Sequence, residues 1–192
     1  MTELTGTPVR FWFDPTCAFT WATSRWLTEV ATQLRLEIRW QVMSLAILAE
    51  AQSVPDHSDD EMETSWRPVR MLAAADAGHG AAATGRLYTA LGEALHGRQC
   101  TVTDELLSAA LAGAELPAAL LDAAVNTSWD EAVRASHKDG QQRVGMDSGS
   151  PIIAIADGPG FFGPVVAPVP SGQGGPGHMG RAGDGEQGAG VQ

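Results

Sequence analysis

Val9-Arg10-Phe11-Trp12-Phe13-Asp14-Pro15-Thr16-Cys17-Ala18-Phe19-Thr20-Trp21 is the stretch in which this chain turns from a strand into a helix. Val9 to Phe13 are β-branched or aromatic except for Arg10, and Pro15 ends the run, which reads as a buried strand. From Cys17 the period changes. Ala22, Trp26, Val30 and Leu34 recur every four residues, with Leu27 and Ala31 beside them, so one apolar stripe runs along a helix of about 17 residues. Thr16 or Asp14 is expected to cap its first turn. Cys17 stands at the mouth of that helix, where about half a positive charge and free N–H donors collect. A thiol in such a place ionises more easily, and the thiolate is the nucleophile. Thr20 occupies the position at which a C-x-x-C pair would carry its second thiol.

Downstream, Leu36, Ile38, Trp40 and Val42 alternate with Glu37, Arg39 and Gln41, a period of two that predicts a second strand. Strand, helix and strand joined by short connections make a parallel pair with a right-handed crossover. The next ninety or so residues are Ala-rich and read as helices. Ser53 to Asp60 contains Pro55 and reads as a loop or lid. Helices are expected at Trp66–Ala77 and Arg86–Leu95, with Gly78-His79-Gly80 as a turn between them. Further helices are expected at Asp104–Ala112 capped by Thr103, after Pro117, and at Trp129–His137 capped by Ser128. Gly140 and Gly145 punctuate the exit. Strand character returns at Ser150-Pro151-Ile152-Ile153-Ala154-Ile155, followed by an Asp157-Gly158 hairpin turn and Phe161-Phe162-Gly163. The expected class is α/β. A domain split between residues 7–45 and 139–170 carries a helical insertion at 46–138. Residues 171–192 are Gly-rich without apolar periodicity and are expected to be disordered. Out-of-frame translation of a GC-rich gene would give such a composition.

With 192 residues, 44% of them apolar, the chain has enough material for one ordinary core. A net charge of −11 repels phosphate backbones and anionic lipid, which argues against nucleic acid and membrane surfaces as partners. No apolar run reaches the roughly 18–20 residues a bilayer needs, and the first residues lack a signal-peptide pattern, so a cytoplasmic protein is expected. Cys17 and Cys100 are then free thiols, Cys100 being an incidental one in a loop. The five histidines show no metal spacing and no metal site is expected. Gly80 to Gly85 mimics half a phosphate loop, but Arg86-Leu87 replaces its Lys-Ser/Thr pair, so that reading is rejected.

Three blocks in order carry a family likeness: Phe11 to Cys17 with Trp21 and Thr23-Ser24-Arg25-Trp26; Val42-Met43-Ser44-Leu45-Ala46-Ile47-Leu48; and Gly149-Ser150-Pro151 with Phe161-Phe162-Gly163-Pro164. Together they resemble the DsbA-like branch of the thioredoxin superfamily, and within it the actinobacterial mycothiol-dependent nitroreductase group, over about residues 8–170. The resemblance implies a thioredoxin-like fold with an inserted all-helical subdomain. It implies a nucleophilic Cys17 faced by a cis-proline at Pro151, with the Ser150 backbone beside the sulfur to pair with an extended thiol substrate. A Ser-Pro pair opening a buried strand is, independently, a place where proline is tolerated. The chain departs from the group at Ala18, where proline is common, at Thr20, and in lacking the usual C-terminal helix.

A single thiol requires chemistry through a mixed disulfide with a small thiol such as mycothiol, which acts as cosubstrate with no tightly bound cofactor. Cys17 and Thr20 are the expected catalytic pair, Thr20 donating its hydroxyl to the thiolate. Trp12, Phe19 and Trp21 are expected to form an apolar platform for a nitroaromatic or quinone, and Ser150 and Pro151 to hold substrate backbone. The partners are then a small thiol and a small oxidised or electrophilic molecule, with a homodimer as a candidate assembly. Two alternatives stand beside this: a thiol transferase or isomerase resembling the kappa-class glutathione transferases, which activates a bound thiol, and an inactive truncated paralogue.

Overall fold

The structure is a computed structural model that describes residues 6–52, 58–145 and 148–165. Most of the expected lid, with His57, and the whole Gly-rich tail lie outside the described residues, as does the question of a C-terminal helix.

Four strands form one sheet in the order β2-β1-β3-β4. β1 (Pro8–Phe13) and β2 (Glu37–Val42) are parallel, Phe11 opposite Trp40, and are joined through α1 (Ala18–Leu34). β3 (Ile152–Ile155) runs antiparallel to β1 with Ile153 opposite Phe11, and β4 (Gly160–Phe162) pairs antiparallel with β3. The alternation read from β1 and β2 sends Phe11, Phe13 and Trp40 to one face. There they pack edge-on at 5.6–5.9 Å and meet Tyr88 of the insertion.

Trp12 points to the other face, fully buried with Met43, Ile152 and Ala154 under α5 (Asp130–Val144). Gly140 of α5 allows this approach, since a Cβ there would stand 2.9 Å from the Trp12 ring, and the Arg143 guanidinium lies 5.1 Å over that ring. α5 also runs unbroken through residues 138 and 139, where the helical insertion was expected to end.

Between β2 and α5 lie α2 (Leu45–Gln52), α3 (Asp59–Gly92), a π-helical turn (Glu93–Gly97), α4 (Asp104–Gly113) and two 3-10 segments (Ala118–Val125 and Thr127–Trp129). Ser58 and Glu61 form a reciprocal capping box at the start of α3, and Thr103 caps α4 as expected. Three local expectations are corrected. The turn expected over Gly78 to Gly80 shrinks to Gly80 alone, whose φ of 78° and ψ of 174° break α3 into two runs. Pro117 precedes a 3-10 segment and not an α-helix. Asn126, not Ser128, supplies the side-chain cap next along, accepting from the Ser128 N–H.

The insertion is fastened to itself by Arg70, which is buried. Its guanidinium meets both Asp130 oxygens, at 2.6 and 3.2 Å, and also pairs with Glu63. That fork ties α3 to α5.

Candidate functional site

The loop between β1 and α1 is held from inside by one carboxylate. Asp14 is fully buried. Its Oδ1 accepts from the Thr16 N–H at 2.7 Å and the Thr16 hydroxyl at 2.6 Å, and its Oδ2 accepts from the Leu45 N–H at 2.7 Å. Burial pushes this carboxyl above the usual carboxylate range, while the Thr16 and Leu45 donors and the nearby His96 pull it back. Asp14 thus ties the Cys17 loop to the first turn of α2. It does not cap α1, and neither does Thr16. Cys17 itself is the N-cap residue, without a side-chain cap bond, its N–H donating to the Asp14 carbonyl at 3.2 Å.

Cys17 is half-buried and its thiol is free, and the first turn of α1 carries no acidic residue. The residue thus stands where the open N–H groups of a helix start collect.

On the sheet side, Ser150 completes the frame. The Ser150–Pro151 peptide is cis, as the family likeness implied, and Gly163–Pro164 is cis as well. The Ser150 hydroxyl accepts from the Asp14 N–H at 2.9 Å and lies 2.7 Å from the Thr20 hydroxyl. Thr20 is fully buried, so its hydroxyl is shared with Ser150 one turn inside the helix. One of the pair donates to the other. When Ser150 donates, the Thr20 proton is free to point elsewhere.

The three rings expected to form a platform have separate fates. Phe19 is 56% exposed beside Cys17 in sequence and open to a ligand. Trp12 is not part of any such surface, because it is sealed beneath α5. Trp21 is only partly buried, yet its ring is committed to the insertion. It lies in a notch at Gly92, where a Cβ would come within 2.1 Å of it, and it meets Tyr88 edge-on at 5.8 Å.

Three residues to which the sequence reading gave no role in the site complete this side. Arg25 lies 4.1 Å over the Trp21 ring and donates to the Thr89 hydroxyl at 3.3 Å. Tyr88 is fully buried, and burial holds its phenol well above its ordinary range. His96 stacks on Trp21 at 6.1 Å, and its Nε2 is 2.8 Å from the carbonyl oxygen of Pro15. Tyr88, Gly92 and His96 recur every four residues, so one helical face was visible in the sequence, although its partner was not.

Two cavities adjoin the loop, of about 350 and 270 Å³, sharing Thr16, Glu61 and Ser65 as walls. Leu45 and Met62 also line the first, and Asp60 and Thr64 the second. Their described walls carry hydroxyls and carboxylates but no Lys, Arg or His. A larger cavity of about 710 Å³ lies along the π-helical turn and α4, beside exposed Cys100, and takes no wall from the Cys17 loop. No described helix is long and apolar enough to cross a membrane.

The fold has known counterparts. The chain shares its fold with the probable DsbA oxidoreductase SCO1869 from Streptomyces coelicolor, at a TM-score of 0.59 and 16% identity over 81% of this chain and 83% of that one. A 2-hydroxychromene-2-carboxylate isomerase superposes with a TM-score of 0.58 at 15% identity, over 81% and 88% of the two chains. The fold is therefore the DsbA-like thioredoxin fold. In sequence, the chain is 31% identical over 170 residues to the uncharacterized protein Rv2286c of Mycobacterium tuberculosis, covering 86% of this chain and 71% of that protein. Residues 16–179, which run from the threonine before Cys17 past the cis-proline block, match the family described as Rv2466c-like, mycothiol-dependent nitroreductase Rv2466c. A chain matched over that span, and sharing close to a third of its residues with the mycobacterial relative, belongs to the Rv2466c-like family.

Proposed function

We propose that this chain is a monothiol oxidoreductase in which Cys17 exchanges disulfides with a small sugar-bearing thiol of the mycothiol kind, in a reducing compartment such as the cytoplasm. The observation that carries this reading is the placement of Thr20 and Ser150. A hydroxyl pair 2.7 Å apart fills the site where a second thiol would stand, so no local disulfide can form at Cys17. The cycle must then use thiols from outside. The Cys17 thiolate attacks a substrate disulfide, a Cys17–substrate disulfide forms and one substrate thiolate leaves. A first small thiol displaces the second substrate thiol and remains on Cys17. A second small thiol removes it as the small-thiol disulfide and returns the Cys17 thiolate. One substrate disulfide is reduced and two small thiols are oxidised. A quinone or nitroaromatic would accept the same two electrons and two protons.

The two cavities beside Thr16 suit this partner. Their hydroxyls and carboxylates match a neutral, hydroxyl-rich thiol and disfavour a tripeptide with free carboxylates. Phe19 offers an apolar landing surface next to the sulfur, and Ser150 and Pro151 a backbone edge. Thr20 supports the thiolate when Ser150 donates to it.

The test is intact-mass analysis after exposure to mycothiol disulfide, together with turnover of a quinone or nitroaromatic. Cys100→Ser should keep one adduct and its activity within about twofold, and Cys17→Ser should lose the adduct and about 10³-fold in rate. Thr20→Cys should discharge the adduct by forming an internal disulfide, seen as a loss of two hydrogens. Wild-type activity in Cys17→Ser would end the thiol-exchange reading. The hydroxyl pair also favours a second reading, that of an isomerase or transferase that activates a bound thiol. Its mark is conjugation or isomerisation that survives oxidation of Cys17.

A further inference from the structure

The insertion reaches the Cys17 loop through one titratable side chain. A carbonyl oxygen only accepts, so the contact of His96 Nε2 with the Pro15 oxygen at 2.8 Å assigns the proton to Nε2 and leaves Nδ1 to gain or lose the second one. The ring is fixed from the side by Trp21, which is itself wedged into the Gly92 notch. The residue sits in the π-helical turn that follows α3, a distortion of the kind found at functional sites. Pro15 is two residues from Cys17, so His96 holds the loop that carries the sulfur.

Resting on the reading of Cys17 as a reactive thiol, we infer that His96 is a positioning residue for Cys17: its hydrogen bond to Pro15 sets the loop, and its imidazolium form favours the thiolate below neutral pH. The charged and titratable groups around it are Asp14 at the end of β1, Arg25 of α1 over the shared Trp21, Tyr88 of α3, and Glu93 on its own turn. Asp14 attracts the imidazolium, Arg25 opposes it and is itself drawn to Glu93, and buried Tyr88 stays neutral. The inferred coupling is between His96 and Cys17 across the Pro15 carbonyl.

The experiment is the rate of Cys17 alkylation by iodoacetamide against pH in the Cys100→Ser background, for His96, His96→Gln and His96→Lys. Glutamine keeps a donor for Pro15 without the charge, and lysine keeps a permanent charge. At about pH 6 the glutamine variant should react roughly three- to tenfold more slowly than His96, with the two rates converging within about twofold near pH 9. The lysine variant should recover most of the low-pH rate. Superimposable pH profiles for histidine and glutamine, or an equal slowing at every pH, would overturn the inference. A reciprocal measurement needs no change at position 96. The imidazole proton resonance of His96 should titrate at lower pH in Cys17→Ser than in the parent, because coupling between two sites acts both ways. Identical titrations would likewise overturn it. A Cys17 that fails to react with iodoacetamide below about pH 8.5 in any variant sinks the reactive-thiol reading itself. A reactive Cys17 indifferent to residue 96 sinks only the role of His96.

Discussion

The Cys17 loop is gripped from two sides by different means. Towards the sheet, the contacts are short, wholly or partly buried and made of backbone, hydroxyl and one carboxylate: Asp14 to Thr16 and Leu45, the Asp14 N–H to Ser150, and Ser150 to Thr20. Towards the insertion, the contacts are rings and cations: Trp21 in its notch, Arg25 above it, His96 on Pro15. The first grip sets geometry, through a buried carboxyl held above the usual carboxylate range. The second is partly open and carries charge. On the proposed reading, the position and the reactivity of the sulfur are set from opposite sides.

Three measurements break or sharpen that contrast. The largest effect belongs to the sheet side. Asp14→Ala leaves two part-buried N–H groups and a hydroxyl without their acceptor and should cost about 2 kcal/mol in denaturant unfolding, with Asp14→Asn costing less because one acceptor oxygen remains. A loss below about 0.5 kcal/mol for the alanine variant would show that this carboxylate is no anchor. Next comes the insertion side. Gly92→Val must displace the Trp21 ring, so stability should fall by somewhat less than about 2 kcal/mol and tryptophan emission should shift, while the buried Thr20–Ser150 pair is left in place. The smallest effect lies at His137, which is buried and accepts from the Ser44 N–H. Burial and the charge of Arg134 lower its proton affinity and Gln141 only partly offsets them, so the unfolded chain takes up the proton first. Stability should be flat above about pH 6.5 and fall below it, by no more than about 1.4 kcal/mol per pH unit, and His137→Gln should remove that limb.

The sheet half was readable in advance because its information is local. The period of two in β1 and β2, the switch to a four-residue period at Cys17 and the Ser150-Pro151 block each lie within a few residues of the feature they specify. Trp12 shows the limit. Alternation assigns it to the face opposite Phe11 and Phe13, but only the later position of α5 decides whether that face is open or sealed. The insertion side of the site was unreadable for a related reason. Tyr88, Gly92 and His96 mark a helical face, and nothing within α3 says that the face meets Trp21, more than sixty residues earlier. The sequence offers Asp14, beside Thr16, as a cap of the helix that follows it. It serves the turn before that helix and the start of α2, a choice made by where β2 ends in space.

The interruption of α3 at Gly80 has a consequence for how such a site diversifies. The stretch before it supplies Glu61, Met62 and Ser65 to the cavities beside Thr16, and the stretch after it supplies Tyr88 and Gly92 to the clamp on Trp21. On the proposed function, one rod addresses which molecule is admitted and the other how the sulfur is presented. Drift in the first can retune selectivity for a new thiol or acceptor without rewriting the half that governs chemical competence.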